Sequence, residues 1–289
     1  MYKRQAHELG HNSNRWLRHL GIWCYASLLN GHHDSAHRLV HHVHAGTEKD
    51  PNTARLGEGF WRFLLRATRD EYRSGRAAES RLRKGAPAWQ HPYYMHAAIS
   101  LLALATAAFL AGLIGVLGLI TIAIYAQMQL YLSDYVQHYG LQRRILPNGA
   151  TEPMGPAHSW NAPQWYSGAM MLNAPRHSDH HMKPLKPFTE LSIDPQDMPM
   201  LPHSLPTMAV LALFPPLWRK IMDKRALFFR PKAPMDIEHA RNIPRAVIVK
   251  VRGTGQPLGK LSGYTNEEPQ NRNMPLPLRP PSLCPDERF

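Results

Sequence analysis

Residues 92–133 contain no Asp, Glu, Lys or Arg: PYYMHAAISLLALATAAFLAGLIGVLGLITIAIYAQMQLYLS. One membrane-spanning helix needs about 20 apolar residues, so this run is roughly twice too long for a single crossing. Gly112, Gly115 and Gly118 fall near its middle, where a chain reversal would use them. The run predicts a transmembrane hairpin over about 93–137, with one span near 93–112, a short turn, and a second span near 116–137. The competing reading is a buried helix pair in a water-soluble protein.

The flanks favour the membrane. Residues 55–84 hold nine Lys+Arg against four acids, and Arg143 and Arg144 follow the hairpin. Positive charge at both feet predicts that both lie on the cytoplasmic side. The formal charge of +13 is then largely a topology signal, and no aromatic-interleaved basic motif points to nucleic acid. Residues 205–222 are apolar but short and are broken by Pro215-Pro216, which suits an interfacial or re-entrant helix. Residues 6–230 are therefore expected to form one all-α membrane domain, and the Pro- and Gly-rich 231–289 a poorly ordered tail. Residues 1–5 are set aside as foreign to the fold, and the chain is read as truncated at its N-terminus.

Cysteine excludes as much as histidine suggests. Cys24 and Cys284 are the two cysteines, which leaves no paired C-x-x-C units for a zinc ribbon or rubredoxin. Histidine is abundant, at 18 residues, and falls into clusters: His7-x-x-x-His11 in HELGH, His37-x-x-x-His41-His42, and His177-x-x-His180-His181. Positions i, i+3 and i+4 share a helix face, so each cluster can aim two or three imidazoles at one point. Adjacent pairs such as His41-His42 diverge by about 100° and can reach two neighbouring ions. A lone H-x-x-x-H is expected about once by chance at this histidine content, so the triples carry the weight. His138 ends the second span, and a hairpin returns it to the side of the His42 cluster.

HELGH also fits the H-E-x-x-H pattern of zinc peptidases, with Glu8 as general base. That reading leaves His37, His41, His42, His177, His180 and His181 without a role.

The ordered motifs resemble the membrane-bound alkane 1-monooxygenases, relatives of the histidine-box fatty acid desaturases. The match covers roughly residues 6–225 and comprises HELGH, the HxxxHH cluster followed by Asp50-Pro51, HYGL at 138–141, His158-Ser159-Trp160-Asn161, and RHSDHH at 176–181. The resemblance implies an integral membrane helical bundle with a cytoplasmic histidine-rich di-iron cap. Two non-haem irons would be held by His7, His11, His37, His41, His42, His138, His177, His180 and His181. It further implies O2-dependent terminal hydroxylation of medium- or long-chain n-alkanes in a bacterial inner membrane. Electrons would come from a separate rubredoxin and its reductase. Xylene-monooxygenase-like and desaturase activities are the neighbouring alternatives.

The family normally has about four more spans before the first box. A truncated chain that binds metal without turnover is the alternative this leaves open. Ala36 and Gln137 stand where acids often occur in the family, which bears on tuning of the ligands rather than on ligation.

Oxidising an unactivated C–H bond needs a redox-active metal, which zinc is not, and imidazole suits iron among other metals. Each ligating ring wants an acceptor on its second nitrogen. Glu8, Asp134 and Asp179 are the candidates, with helix-end or surface acids as the plain reading. His32, His33 and His44 are expected at the surface or beside the ligands, and His158 in a structural or substrate-side role.

Overall fold

The computed structural model describes residues 2–12 and 14–230; the tail expected at 231–289 lies outside them. Among the described residues the chain is helical, with two isolated bridges, Ile145 with Thr151 and Asn161 with Met200, in place of any sheet. The helices are α1 (Tyr2–Gly10), α2 (Arg15–Ser27), α3 (His32–Ala36), α4 (His42–His44), α5 (Phe60–Leu82), α6 (Pro92–His138), α7 (Trp165–Met170), α8 (His177–Met182), α9 (Leu205–Ala212) and α10 (Pro215–Phe229). Between α3 and α4 runs a π turn, His37–His41. The Pro215-Pro216 break falls where the sequence put it, as the first turn of a new helix.

The apolar run is one reversal of the chain. Ala111 (φ −146°, ψ 23°) and Gly112 (φ 56°, ψ −143°) leave helical geometry, and the positive φ explains a glycine there. Ser100 Oγ donates to Ala26 O (2.8 Å) while Gln127 Nε2 donates to Leu28 O (3.2 Å). A straight helix would hold residues 100 and 127 about 40 Å apart. The turn is tighter than expected from three glycines. Gly115 already belongs to the second arm, where a Cβ would lie 2.1 Å from Ala107 O, so it serves close approach of the arms.

α6 is long and apolar enough to cross a membrane. Its tip presents apolar side chains outward, with Phe109 89% and Ile114 81% exposed. Burial then becomes continuous over residues 131–141, where the second arm enters the main core. Phe60, Phe63, Tyr135, Tyr139, Trp160 and Trp218 are fully buried there. Each such side chain contributes on the order of 1.5–3 kcal/mol through burial.

α5 reaches this core along one face, with Phe60, Phe63, Ala67, Glu71, Gly75 and Ala78 buried at spacings of three and four. Gly75 lets α5 meet α3, because a Cβ would lie 2.7 Å from Tyr93 Oη and 2.9 Å from Ala36 Cβ. Alanine would add up to about 1 kcal/mol of helix propensity, whereas overpacking costs about 1–3 kcal/mol. Gly75→Ala is therefore expected to lower the denaturant midpoint; a raised midpoint would contradict the contact.

Candidate metal centre

Four separate segments deliver nine imidazoles to one place. α1 and the residue after it bring His7 and His11, the π turn and α4 bring His37, His41 and His42, the foot of α6 brings His138, and α8 brings His177, His180 and His181. Eight fall into two groups of four: His7, His11, His37 and His180, then His41, His138, His177 and His181. Within each group all candidate ligand nitrogens lie within 4.8 Å of one another. His42 sits between. Its Nε2 is 2.9 Å from His37 Nε2 and 3.2 Å from His11 Nε2, and its ring centroid is 4.6 Å from that of His181.

The π turn explains how one cluster serves both groups. In an α-helix His42 would point about 140° away from His37. Here the His42 N–H donates to His37 O, an i→i+5 bond, and the widened turn brings the two rings onto one face. The expected divergence of His41 and His42 is retained, but His37 now adjoins both.

The nitrogens face one another at metal-sphere spacing. His7 Nε2 is 3.1 Å from His180 Nε2, His138 Nε2 is 2.9 Å from His177 Nε2, and His181 Nε2 is 3.1 Å from His177 Nε2. Donors about 2.1 Å from one ion and at right angles to each other stand about 3.0 Å apart. The buried His41 Nε2 has no hydrogen-bond partner although its Nδ1 does, as a ligand nitrogen requires. The set therefore fits metal ions by count, chemistry and spacing.

Among the expected acceptors, Asp134 Oδ2 takes a hydrogen bond from Asn52 Nδ2 (2.9 Å). Asp179 turns elsewhere: its Oδ2 receives Lys186 Nζ (2.7 Å) and the backbone and hydroxyl of Ser192, so it braces the loop after α8. Glu8 is half-buried on α1. The acceptor that sequence reasoning missed is Asp50. His41 Nδ1 lies 2.9 Å from Asp50 Oδ2, and Thr53 Oγ1 and the Asn52 N–H fix that carboxylate in turn. Arg66 locks the loop by pairing with Glu58 and donating to Pro51 O and Thr53 O. The DP dipeptide following the box was the available signal.

Asn161 is the second omission. Its Nδ2 donates to Ser178 Oγ (2.8 Å) and Ser159 O (2.9 Å), and its Oδ1 accepts the Ser178 N–H (3.0 Å). Trp160 N–H donates to Gln137 O and its Nε1 to Tyr139 O. The HSWN segment thus ties His138 on α6 to the histidines of α8. His158 pairs with Glu152 in the adjoining loop, a structural role. Of the two places expected for His33, the structure gives the one beside the candidate ligands: it is 1% exposed, its ring is 5.2 Å from that of His37, and its Nδ1 is 2.6 Å from Glu71 Oε1.

Burial disfavours the charged form of several of the rings. It lowers His11 to about 4, aided by the Arg38 charge, and drives His37, His42 and His181 well below the usual range, aided by neighbouring imidazoles. Burial opposes charge on His41 too, but the Asp50 carboxylate outweighs it and raises the ring to about 9. In chelator-stripped protein the two shifts act in opposite windows. Between about 4 and 6.5 the unfolded chain binds the extra protons, so stability falls as pH falls. Between about 6.5 and 9 the folded His41 holds the extra proton, so stability falls as pH rises. Thermal unfolding of stripped protein should therefore peak near pH 6.5; a melting temperature rising steadily to pH 9 would contradict the assignment.

A cavity of about 570 Å3 opens beside the histidines, lined by His7, His33, His37 and His177 at one end. Ile122, Tyr125, Ala126, Gln129, Leu130, Ser133 and Asp134 form one face of the second arm along it, with Leu28, Met170 and Met171 opposite. Residues 122 and 133 are about 17 Å apart along a helix. The far end reaches the outward-facing surface, where Ile122 is 58% and Tyr125 60% exposed.

A helical protein with an apolar hairpin and a histidine-rich metal-binding centre is the class that fold and site define. Residues 5–233 match the fatty acid desaturase family model, and the chain belongs to that family. It is 35% identical over 227 residues to alkane 1-monooxygenase 1 of Alcanivorax borkumensis, covering 77% of this chain and 56% of that protein. It is 34% identical over 224 residues to alkane 1-monooxygenase 2 of Pseudomonas aeruginosa, covering 76% and 59%. The xylene/toluene monooxygenase hydroxylase component of Pseudomonas putida is 28% identical over 228 residues, covering 77% and 59%. The chain thus spans little more than half the length of these relatives. The HELGH pair joins His37 and His180 in a four-imidazole group, whereas a catalytic zinc keeps three protein ligands and a water.

Proposed function

We propose that the chain forms the metal-binding and slot-forming part of an O2-dependent alkane 1-monooxygenase: RH + O2 + two electrons + two protons give ROH and water. The observation that carries this reading is the meeting of nine imidazoles, in two groups with His42 between them, beside a slot lined largely by apolar side chains. Each group with His42 would hold one iron, and the pair would supply O2 activation and oxidation of the terminal carbon. The similarity to alkane 1-monooxygenases supports medium or long n-alkanes as substrate, and the slot along the second arm suits an extended chain. Alkyl-aromatic methyl groups come second, on the similarity to the xylene/toluene enzyme.

The chain's own residues hold and shield. Asp50 orients His41, Asn161 anchors α8, and Ile122, Leu130, Met170 and Met171 keep water from the alkane. Two cysteines cannot form a rubredoxin centre, which supports a separate rubredoxin with its reductase as electron source. The hairpin crosses a bacterial inner membrane twice, with the centre at its cytoplasmic feet, in line with the basic flanks.

The test is to express the protein in membranes with rubredoxin, its reductase and reduced nicotinamide cofactor, and to follow octane. Formation of 1-octanol that depends on O2 and rubredoxin supports the reading. Peptide cleavage that depends on Glu8, with octane untouched, would replace it by a zinc peptidase.

A further inference from the structure

His33 is a tenth imidazole at this centre and belongs to neither four-histidine group. Its ring is 5.2 Å from that of His37 and lies within the cavity wall. It also lines a void of about 10 Å3 shared with His7, His11, Tyr25 and His37. His33 therefore stands where the slot meets the first metal group. Its Nδ1 is committed to Glu71, which is itself 1% exposed. Its Nε2 is buried and has no hydrogen-bond partner.

An orphaned buried nitrogen is costly, and the ring that carries this one belongs to a wall that otherwise meets an alkane. An alkane offers nothing to it. A hydroxyl donates and accepts, so it satisfies Nε2 whether or not that nitrogen carries a proton. The one hydroxyl the proposed reaction creates in the slot arises at this end, on the oxidised terminal carbon.

We propose that His33, held by Glu71, is the hydrogen-bonding site for the hydroxyl of a primary alcohol lodged in the slot, so that the centre binds the alcohol in preference to the parent alkane. The inference rests on the alkane-slot reading and deepens it. It makes His33 a product-recognition residue and identifies primary alcohols as ligands of the resting protein.

Iron-loaded, purified full chain is titrated calorimetrically with 1-octanol and with octane, and its iron is counted alongside. Removing His33 alone would strand the Glu71 carboxylate, so the principal variant is His33→Phe with Glu71→Leu, which replaces both partners by apolar groups. Wild type is expected to bind 1-octanol more tightly than octane. The double variant should lose about tenfold for 1-octanol and about twofold or less for octane, with iron content unchanged. His33→Gln, which keeps a hydrogen-bonding head beside Glu71, should retain most of the preference.

An unchanged 1-octanol affinity in the double variant, or equal losses for both ligands, would overturn the assignment. So would a His33→Gln variant as impaired as the apolar pair, because shape and not hydrogen bonding would then be the cause. Wild type that binds neither ligand would remove the slot reading itself and this inference with it.

Discussion

If the proposed function holds, a His42→Ala variant retains at most one iron per chain and loses the proposed alkane oxidation by at least about 100-fold. His42 is the imidazole that faces both groups, with Nε2 within 3.2 Å of nitrogens on His37 and His11 and its ring beside His180 and His181. Removing it takes a donor from the seam between the two four-imidazole groups. Loss of a residue that merely orients a ligand already costs about 10–100-fold in affinity or activity, and a ligand should cost no less. His44, two residues further on and outside both groups, provides the control: His44→Ala should leave iron content at the wild-type level. Metal analysis on the two variants in parallel checks this, and equal iron in both would remove His42 from the centre.

The second large effect falls on a residue that touches no candidate ligand nitrogen. Asn161→Ala is expected to lower stability by roughly 2–4 kcal/mol, because it strands the buried Ser178 N–H and breaks the donor bonds to Ser178 Oγ and Ser159 O. Ser178 lies between His177 and Asp179 on α8, so the same change should loosen three imidazoles together. Chemical denaturation reads the stability, and iron retained after gel filtration against a chelator reads the positioning. Asn161→Asp keeps an acceptor for the Ser178 N–H and should fall between the two. A variant with wild-type stability and iron would show that α8 is held by other contacts.

Histidine spacing pointed to eight of the clustered imidazoles, because i, i+3 and i+4 periodicity is local and survives whatever the tertiary fold does, whereas His138 came from the hairpin and the family resemblance. The hairpin was legible from run length alone, but the choice of Gly112 over Gly115 and Gly118 was not, since only Gly112 adopts positive φ. The π turn at His37–His41 was hidden because a shift from i→i+4 to i→i+5 bonding leaves no trace in residue types. Acceptors were the weakest part of the reading. Asp179 is adjacent to a candidate ligand in sequence yet points to Lys186, whereas Asp50 reaches His41 through a loop that Arg66 and Glu58 close. The choice between surface and centre for His33 was open for a related reason: its partner Glu71 lies on α5, and only the packing of α5 on α3 buries the pair. In each case the missing information was a long-range contact rather than a motif.

Nine imidazoles that hold two redox-active ions beside an apolar slot would make the metal itself the most informative readout. Metal quantification with X-ray absorption at the metal edge, on protein purified from iron-replete membranes, tests this most directly. Two irons per chain in nitrogen-rich coordination are expected. One zinc per chain, or a folded protein that takes up no iron, would contradict this.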